Sequence, residues 1–156
     1  MRQKLYANTK PIKGMRVRMD EYALVERPPA VEEYQALRCA VGWGEADMNA
    51  ARISLQNSLY WVCVLKDQQV IGCGRVIGDG ALCFYVQDII VLPQYQGRGL
   101  GRRIMDKVME YLRANAHRGG FVGLMAAKGA EGFYLKYGFM TRPTKDYGPG
   151  MILFWQ

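Results

Sequence analysis

The chain has one histidine, His117, among its 156 residues, and its four cysteines, Cys39, Cys63, Cys73 and Cys83, form no Cys-x-x-Cys pair. Sites built on imidazole and thiolate need such clusters, so no metal is expected. No apolar run approaches the roughly 18 residues that cross a bilayer, and Met1-Arg2-Gln3-Lys4-Leu5-Tyr6 lacks the apolar stretch of a secretory signal. A cytoplasmic protein without a membrane partner is expected, with reduced thiols that behave as small hydrophobes in strand-like runs. Internal repeats, linkers and low-complexity segments are also missing. The reading is therefore one domain over 1–156, with 1–20 as an N-terminal arm. Half the residues are apolar, and a chain of this size buries about two-thirds of its unfolded surface.

Acidic residues are the scarcer charge, 14 against 21 lysines and arginines, for a net charge of +7. That balance suits an anionic ligand as well as it suits nucleic acid. The distribution is more informative. Arg2, Lys4, Lys10, Lys13, Arg16 and Arg18 are scattered along the arm, whereas Arg98, Arg102 and Arg103 surround a glycine-rich turn.

That turn, Tyr95-Gln96-Gly97-Arg98-Gly99-Leu100-Gly101-Arg102-Arg103, lies between a strand-like run ended by Pro93 and a helix. Leu100, Ile104, Val108 and Leu112 recur at helical spacing, with Arg102, Arg103, Lys107 and Arg113 on the other faces. Glycines let the backbone approach a ligand, and the first N–H groups of a helix have no internal partner, so the arrangement suits a phosphate or pyrophosphate. A tight strand-to-helix turn alone would use the same glycines. A P-loop is excluded because no Lys-Ser or Lys-Thr follows. A dinucleotide fingerprint is excluded by the Gly-x-Gly-x-Gly spacing and by Gly119-Gly120-Phe121 where an acidic residue is needed.

Gln96-Gly97-Arg98-Gly99-Leu100-Gly101 resembles the acyl-CoA-binding motif of the GNAT N-acetyltransferases, Gln/Arg-x-x-Gly-x-Gly/Ala. A second block, Phe133-Tyr134-Leu135-Lys136-Tyr137-Gly138-Phe139, is similar to the family's last helix, in the family's order and spacing. The stretch from Ile71 to Phe154 looks most like small arylalkylamine-acetyltransferase-like proteins, including the plastid serotonin acetyltransferases. The resemblance implies an α/β (α+β) fold: a central mixed, mostly antiparallel sheet flanked by helices, with an acyl-CoA cleft between the central strands. It implies acetyl-CoA as cosubstrate, held by Ile89, Ile90 and Val91 through the strand backbone and by Gln96, Gly97, Arg98, Gly99, Leu100, Gly101 and Arg102. The expected partner is a small-molecule amine and no nucleic acid; the oligomeric state stays open, a homodimer being one alternative.

The elements expected along the chain are a strand over 22–26, a helix from Val31 to about Val41 and a second helix over 47–56. A hairpin follows over 60–65 and 70–77, then a strand over 81–92 and a helix to about Ala116. A strand over 121–126, a short helix, and closing strands over 139–142 and 151–155 complete the order.

Acetyl transfer needs a neutral amine, an oxyanion stabiliser and a proton for the departing thiolate. The resemblance places Tyr134 at the proton donor; packing beside Phe133 and Tyr137 is the alternative. Backbone N–H near Ile90 or Val91 is the candidate for the oxyanion. Asp88 is either the base or a structural acceptor. Alternation puts Tyr85, Gln87, Ile89 and Val91 on one strand face and Val86, Asp88 and Ile90 on the other. The resemblance aligns the proton-relay pair of related amine acetyltransferases with Tyr85 and Gln87. It departs at Ala127, where many relatives carry Asn or Asp. For the amine, Trp43, Glu45 and Asp47 with Tyr147 offer aromatic faces and carboxylates that suit an organic cation; a core plug and helix caps are the plainer reading. A non-catalytic acyl-CoA-binding module, a protein N-acetyltransferase and a basic nucleic-acid-binding protein remain as alternatives.

Overall fold

The structure, a computed structural model, describes residues 21–154. The basic arm over 1–20 and Trp155 lie outside the described residues. Five strands form one sheet in the order β1-β2-β3-β4-β5: β1 (Ala23–Val25), β2 (Tyr60–Lys66), β3 (Gln69–Gly78), β4 (Cys83–Val91) and β5 (Phe121–Gly123). Every pairing is antiparallel except β4–β5, which is parallel. The parallel pair needs a crossover, which α3 (Leu100–Asn115) supplies.

Between β2 and β3 the chain reverses over Asp67 and Gln68, both at positive φ (49° and 66°), the geometry of the two-residue hairpin turn whose twist matches its strands. Between β3 and β4, Asp79 accepts backbone N–H groups from Ala81, Leu82 and Cys83, each at 2.9 Å. Those bonds stabilise the carboxylate and lower its pKa to about 2.

Two cores lie on the two faces of the sheet. On one, α3 buries Leu100, Ile104, Met105, Val108 and Leu112 against Val62, Val64, Val76, Phe84 and Val86. On the other, α1 (Val31–Ala40) and α2 (Met48–Gln56) bury Tyr34, Leu37, Ala51 and Leu55 against Trp61, Cys63, Cys73 and Ile90. Helix α4 (Glu131–Leu135) joins the α3 side through Phe133 and Tyr134.

Ile104 packs directly on the backbone of β3. A Cβ on Gly74 would stand 2.5 Å from Ile104 Cγ2, and one on Gly72 would stand 2.7 Å from the Ile90 carbonyl oxygen. The second clash is with backbone, which has no rotamer to yield. Gly72→Ala is therefore expected to destabilise by about 1–3 kcal/mol. Its melting temperature should fall by about 2–4 °C per kcal/mol, and an unchanged midpoint would mean that the sheet opens without strain.

The C-terminal part differs from the sequence expectation. No strand forms over 139–142 or over the described residues 151–154. Instead 142–148 closes locally: Thr144 N–H donates to the Tyr147 carbonyl (2.7 Å), Thr144 Oγ1 accepts from Tyr147 N–H (3.0 Å), and Arg142 Nε donates to the Gly148 carbonyl (2.7 Å). Backbone groups satisfied inside this loop do not pair with β5. Met151, Leu153 and Phe154 stay exposed, and β5 itself ends at Gly123 rather than continuing to Ala126.

Candidate active site

Strand β4 changes phase part-way along. Opposite Gly74 the register shifts, so that Arg75 faces Gln87 while Cys73 faces Ile90. One extra residue on β4 makes a bulge, and Asp88 within it takes φ 54°. Side chains beyond a one-residue slip change faces. Phe84 and Val86 thus lie in the α3 core, whereas Asp88 and Ile90 point to α1 and α2, leaving Ile89 and Val91 on the α3 side. Strict alternation carried through the strand would put Val86 with Asp88 and Ile90; the bulge separates them.

Ile89 and Val91 form the floor of a cleft of about 630 Å³. Its second wall is the glycine turn, Gln96, Gly97 and Gly99, and the first helical residues Leu100, Gly101 and Arg102. Its third wall is Phe133, Lys136 and Tyr137 around α4. Gln96 Nε2 ties the turn to the strand by donating to the Val91 carbonyl at 2.9 Å. Gly97 and Gly99 have φ of 73° and 79°, a region that residues with a Cβ rarely enter. Tyr137 OH donates to Asp106 Oδ1 (2.8 Å), fastening α4 to α3; burial and that carboxylate raise its pKa to about 12. The orphan N–H groups of α3, its positive dipole end and the exposed Arg102 and Lys136 all present positive charge to one volume, which fits a phosphate-bearing ligand.

Two side chains at the expected cofactor positions point away from the cleft, although Ile90 is expected to meet the cofactor through its backbone only. Ile90 is 2% exposed in the α1/α2 core, so only its backbone borders the cleft strand. Arg98 turns back to Tyr22 OH (2.8 Å) and the Gln94 carbonyl (3.3 Å), bracing the turn from behind.

Beside the cleft, a second cavity of about 840 Å³ is lined by Tyr85, Tyr134, Met109, Met125, Phe139 and Arg142 among others, and Tyr137 borders both cavities. Tyr134 stacks edge-on with Phe133 (5.0 Å between centroids) and Phe139 (6.1 Å). Burial pushes its phenol above the ordinary value of 10, so it is protonated at neutral pH. Tyr85 and Tyr134 both line this second cavity, and Gln87 lies half-buried two residues along β4.

Trp43, Glu45 and Tyr147 are exposed and line neither cavity. Arg38 lies over Trp43 (5.8 Å) and Arg142 over Tyr147 (5.7 Å), so intramolecular cations occupy the neighbourhood of both rings. Asp47 caps α2 by accepting from Ala50 N–H at 2.8 Å. Asp88 does not open to either cavity. Its carboxylate, fully buried, sits 2.7 Å from Arg75 Nε and accepts from Tyr34 OH at 2.7 Å. This is the structural-acceptor alternative rather than an exposed base. Losing either partner of such a buried pair costs about 3–5 kcal/mol.

The sequence reading left out Arg75 and Tyr34. Arg75 is the only charged residue between Val70 and Ile77, and a charge in an otherwise apolar strand needs a buried partner. Phe133, Lys136 and Tyr137, in the segment that resembles the family's last helix, also line the cleft, which their sequence pattern alone does not reveal.

The model of the Acetyltransferase (GNAT) domain matches residues 56–141. The chain belongs to the GNAT acetyltransferase family. A probable acetyltransferase of unknown function from meticillin-resistant Staphylococcus aureus superposes with a TM-score of 0.79 at 36% identity, covering 86% of this chain and 99% of its own. The Arabidopsis thaliana protein named GCN5-related N-acetyltransferase 1, chloroplastic, is 27% identical over 124 residues, 78% of this chain. The match spans only 61% of that plant protein. An aminoglycoside N-acetyltransferase solved with CoA shares the fold, with a TM-score of 0.57 at 16% identity over 86% of this chain and 95% of that one. The GNAT domain match contains the whole glycine turn, α3 and α4, which are the parts that build the cleft. Among the described residues no helix is long and apolar enough to cross a membrane, and no group of three His, Cys, Asp or Glu is placed to hold a metal ion.

Proposed function

We propose that the protein is an acetyl-CoA-dependent N-acetyltransferase acting on a primary amine of a small molecule: an arylalkylamine, a polyamine or an amino sugar. The observation that carries this reading is the cleft in which one strand, β4, offers its backbone beside the glycine turn, with the protonated Tyr134 on the adjoining wall. The residues present fit CoA. Gly97, Gly99 and Gly101 have nothing within 4 Å of a would-be Cβ, so the turn is bare backbone open to a ligand. The first turn of α3 would hold the pyrophosphate, Ile89 and Val91 would flank the pantetheine arm, and Arg102 and Lys136 would neutralise phosphate charge. Bound acetyl-CoA supplies an acetyl thioester. As the amine nitrogen bonds to the acetyl carbon and the C–S bond breaks, Tyr134 gives its proton to the leaving sulfur and is reprotonated through solvent by the proton that the nitrogen loses; Tyr85 and Gln87 orient the amine from β4. Four cysteines without a disulfide fit a reducing compartment such as the cytoplasm.

The test is thiol release from acetyl-CoA with a panel of phenylethylamine, spermidine, glucosamine and a peptide carrying a free N-terminus and a lysine. Release with one of the small amines is expected. Release with the peptide alone makes the protein a protein acetyltransferase, and thermal stabilisation by acetyl-CoA without release makes it a binding module. Steeply salt-dependent binding to DNA or RNA, with no stabilisation by CoA, would replace both by a nucleic-acid-binding function.

A further inference from the structure

Asp88 is the only residue of β4 in the left-handed region, and the strand exchanges its faces there. Aspartate tolerates positive φ better than most residues, but the conformation persists only where surroundings impose it. Here the surroundings do so by three contacts from two elements, α1 and β3. Tyr34 OH of α1 donates to Oδ2 at 2.7 Å, Arg75 Nε of β3 lies 2.7 Å from the same oxygen, and the Cys73 thiol reaches the Asp88 carbonyl at 3.6 Å. Arg75 is itself anchored to Ser54 of α2 and to Ser58 just beyond that helix, with its guanidinium 5.3 Å from the Trp61 ring centre.

We propose that Arg75, Asp88 and Tyr34 are a positioning clamp: the buried triad holds the β4 bulge and so sets the backbone of Ile89 to Val91 at the reacting end of the cleft. The inference rests on the acetyltransferase reading, because that backbone matters only if the thioester lies over it. Two simpler roles fit less well. A general base needs a path to the amine, and Asp88 lines neither cavity. A pure stabiliser is an inefficient use of a buried ion pair, since apolar residues of similar volume often serve as well or better. What the triad does that apolar side chains do not is hold one left-handed residue, and with it the phase of the strand.

The test compares Asp88→Ala, the double variant Arg75→Met/Asp88→Gly, and Tyr34→Phe. Turnover is read by thiol release with the best amine of the panel above, and deuterium exchange at the 89–91 amides is read with and without acetyl-CoA. Alanine resists positive φ and strands Arg75, so kcat should fall about 10²-fold, the scale of a small misplacement. The acetyl-CoA KM should stay within about threefold and the pH profile should not move. Acetyl-CoA should protect the 89–91 amides of the parent but not of Asp88→Ala. The double variant, in which glycine adopts the conformation freely and no charge is orphaned, should recover most of the lost rate and the protection.

A parental kcat in Asp88→Ala, with only a lower melting temperature, overturns the clamp in favour of a structural role. A double variant as slow as Asp88→Ala, with the acidic limb of the pH profile displaced, overturns it in favour of a base. If Asp88→Ala does not fold, Tyr34→Phe decides: it keeps the ring against Trp61 and removes one hold, and should lose about tenfold in kcat. A parental rate in that variant overturns the proposal. If no amine supports thiol release in the parent, the acceptor reading fails by itself, and the exchange comparison still decides the clamp.

Discussion

Replacing Tyr134 by Phe should lower turnover by about 10²- to 10⁴-fold, roughly 3–5 kcal/mol of barrier, while folding and acetyl-CoA affinity stay near parental. The ring makes the edge-on contacts with Phe133 and Phe139, and phenylalanine keeps them. Only the hydroxyl is lost, and it makes no hydrogen bond within the described residues that folding would miss. Burial raises the pKa of this phenol, so the acid is present at neutral pH and is lost only as the pH climbs through a value above 10. The rate should therefore rise with pH as the amine deprotonates and should not fall again below about pH 10. A decline centred near pH 8, or a Tyr134→Phe variant within about threefold of the parent, would move the donor role to another group, with Tyr85 in the same cavity as the next candidate.

Valine at Gly99 or Gly101 should abolish the thermal stabilisation given by acetyl-CoA, for two separable reasons. At a ligand excess of about 100 Kd a native-state ligand contributes about 2.7 kcal/mol, or about 5–10 °C for a chain of this length. Gly99 begins α3 at φ 79°, where a β-branched residue is strained, so Gly99→Val should also melt lower without ligand. Gly101 has ordinary helical geometry and open space around it. Gly101→Val should thus fold like the parent and fail only when the phosphate has to approach the first turn. Full acetyl-CoA stabilisation of Gly101→Val, measured by scanning calorimetry, would remove the cradle from this turn.

Much of the molecule is legible in the linear pattern because its signals are local. Continuous apolar runs mark β2 and β3, helical spacing marks α3, Gly78-Asp79-Gly80 marks the turn into β4, and the glycine turn and the α4 segment border the cleft. What the pattern leaves out is equally physical. A bulge is one extra residue with no periodicity of its own, so alternation read across Asp88 assigns the wrong faces to half of β4. An apolar run such as Met151 to Phe154 reads as a strand whether or not an edge pairs with it, and here the run stays exposed and forms no strand. Trp43, Glu45 and Tyr147 have the chemistry for an organic cation, but composition carries no information on convergence, and the chain places them away from both cavities.

The sequence by itself determined the order of elements from β1 to α4, the backbone cradle at Gln96 to Arg102 and the position of Tyr134 in the last helix, because each depends on neighbours within a few residues. The tertiary structure alone decided which way β4 faces, what Asp88 does and which walls enclose the cleft. Those depend on Arg75 and Tyr34, 13 and 54 residues away from Asp88. A buried charge takes the partner that packing brings to it, and that partner is fixed by how β3, β4 and α1 meet.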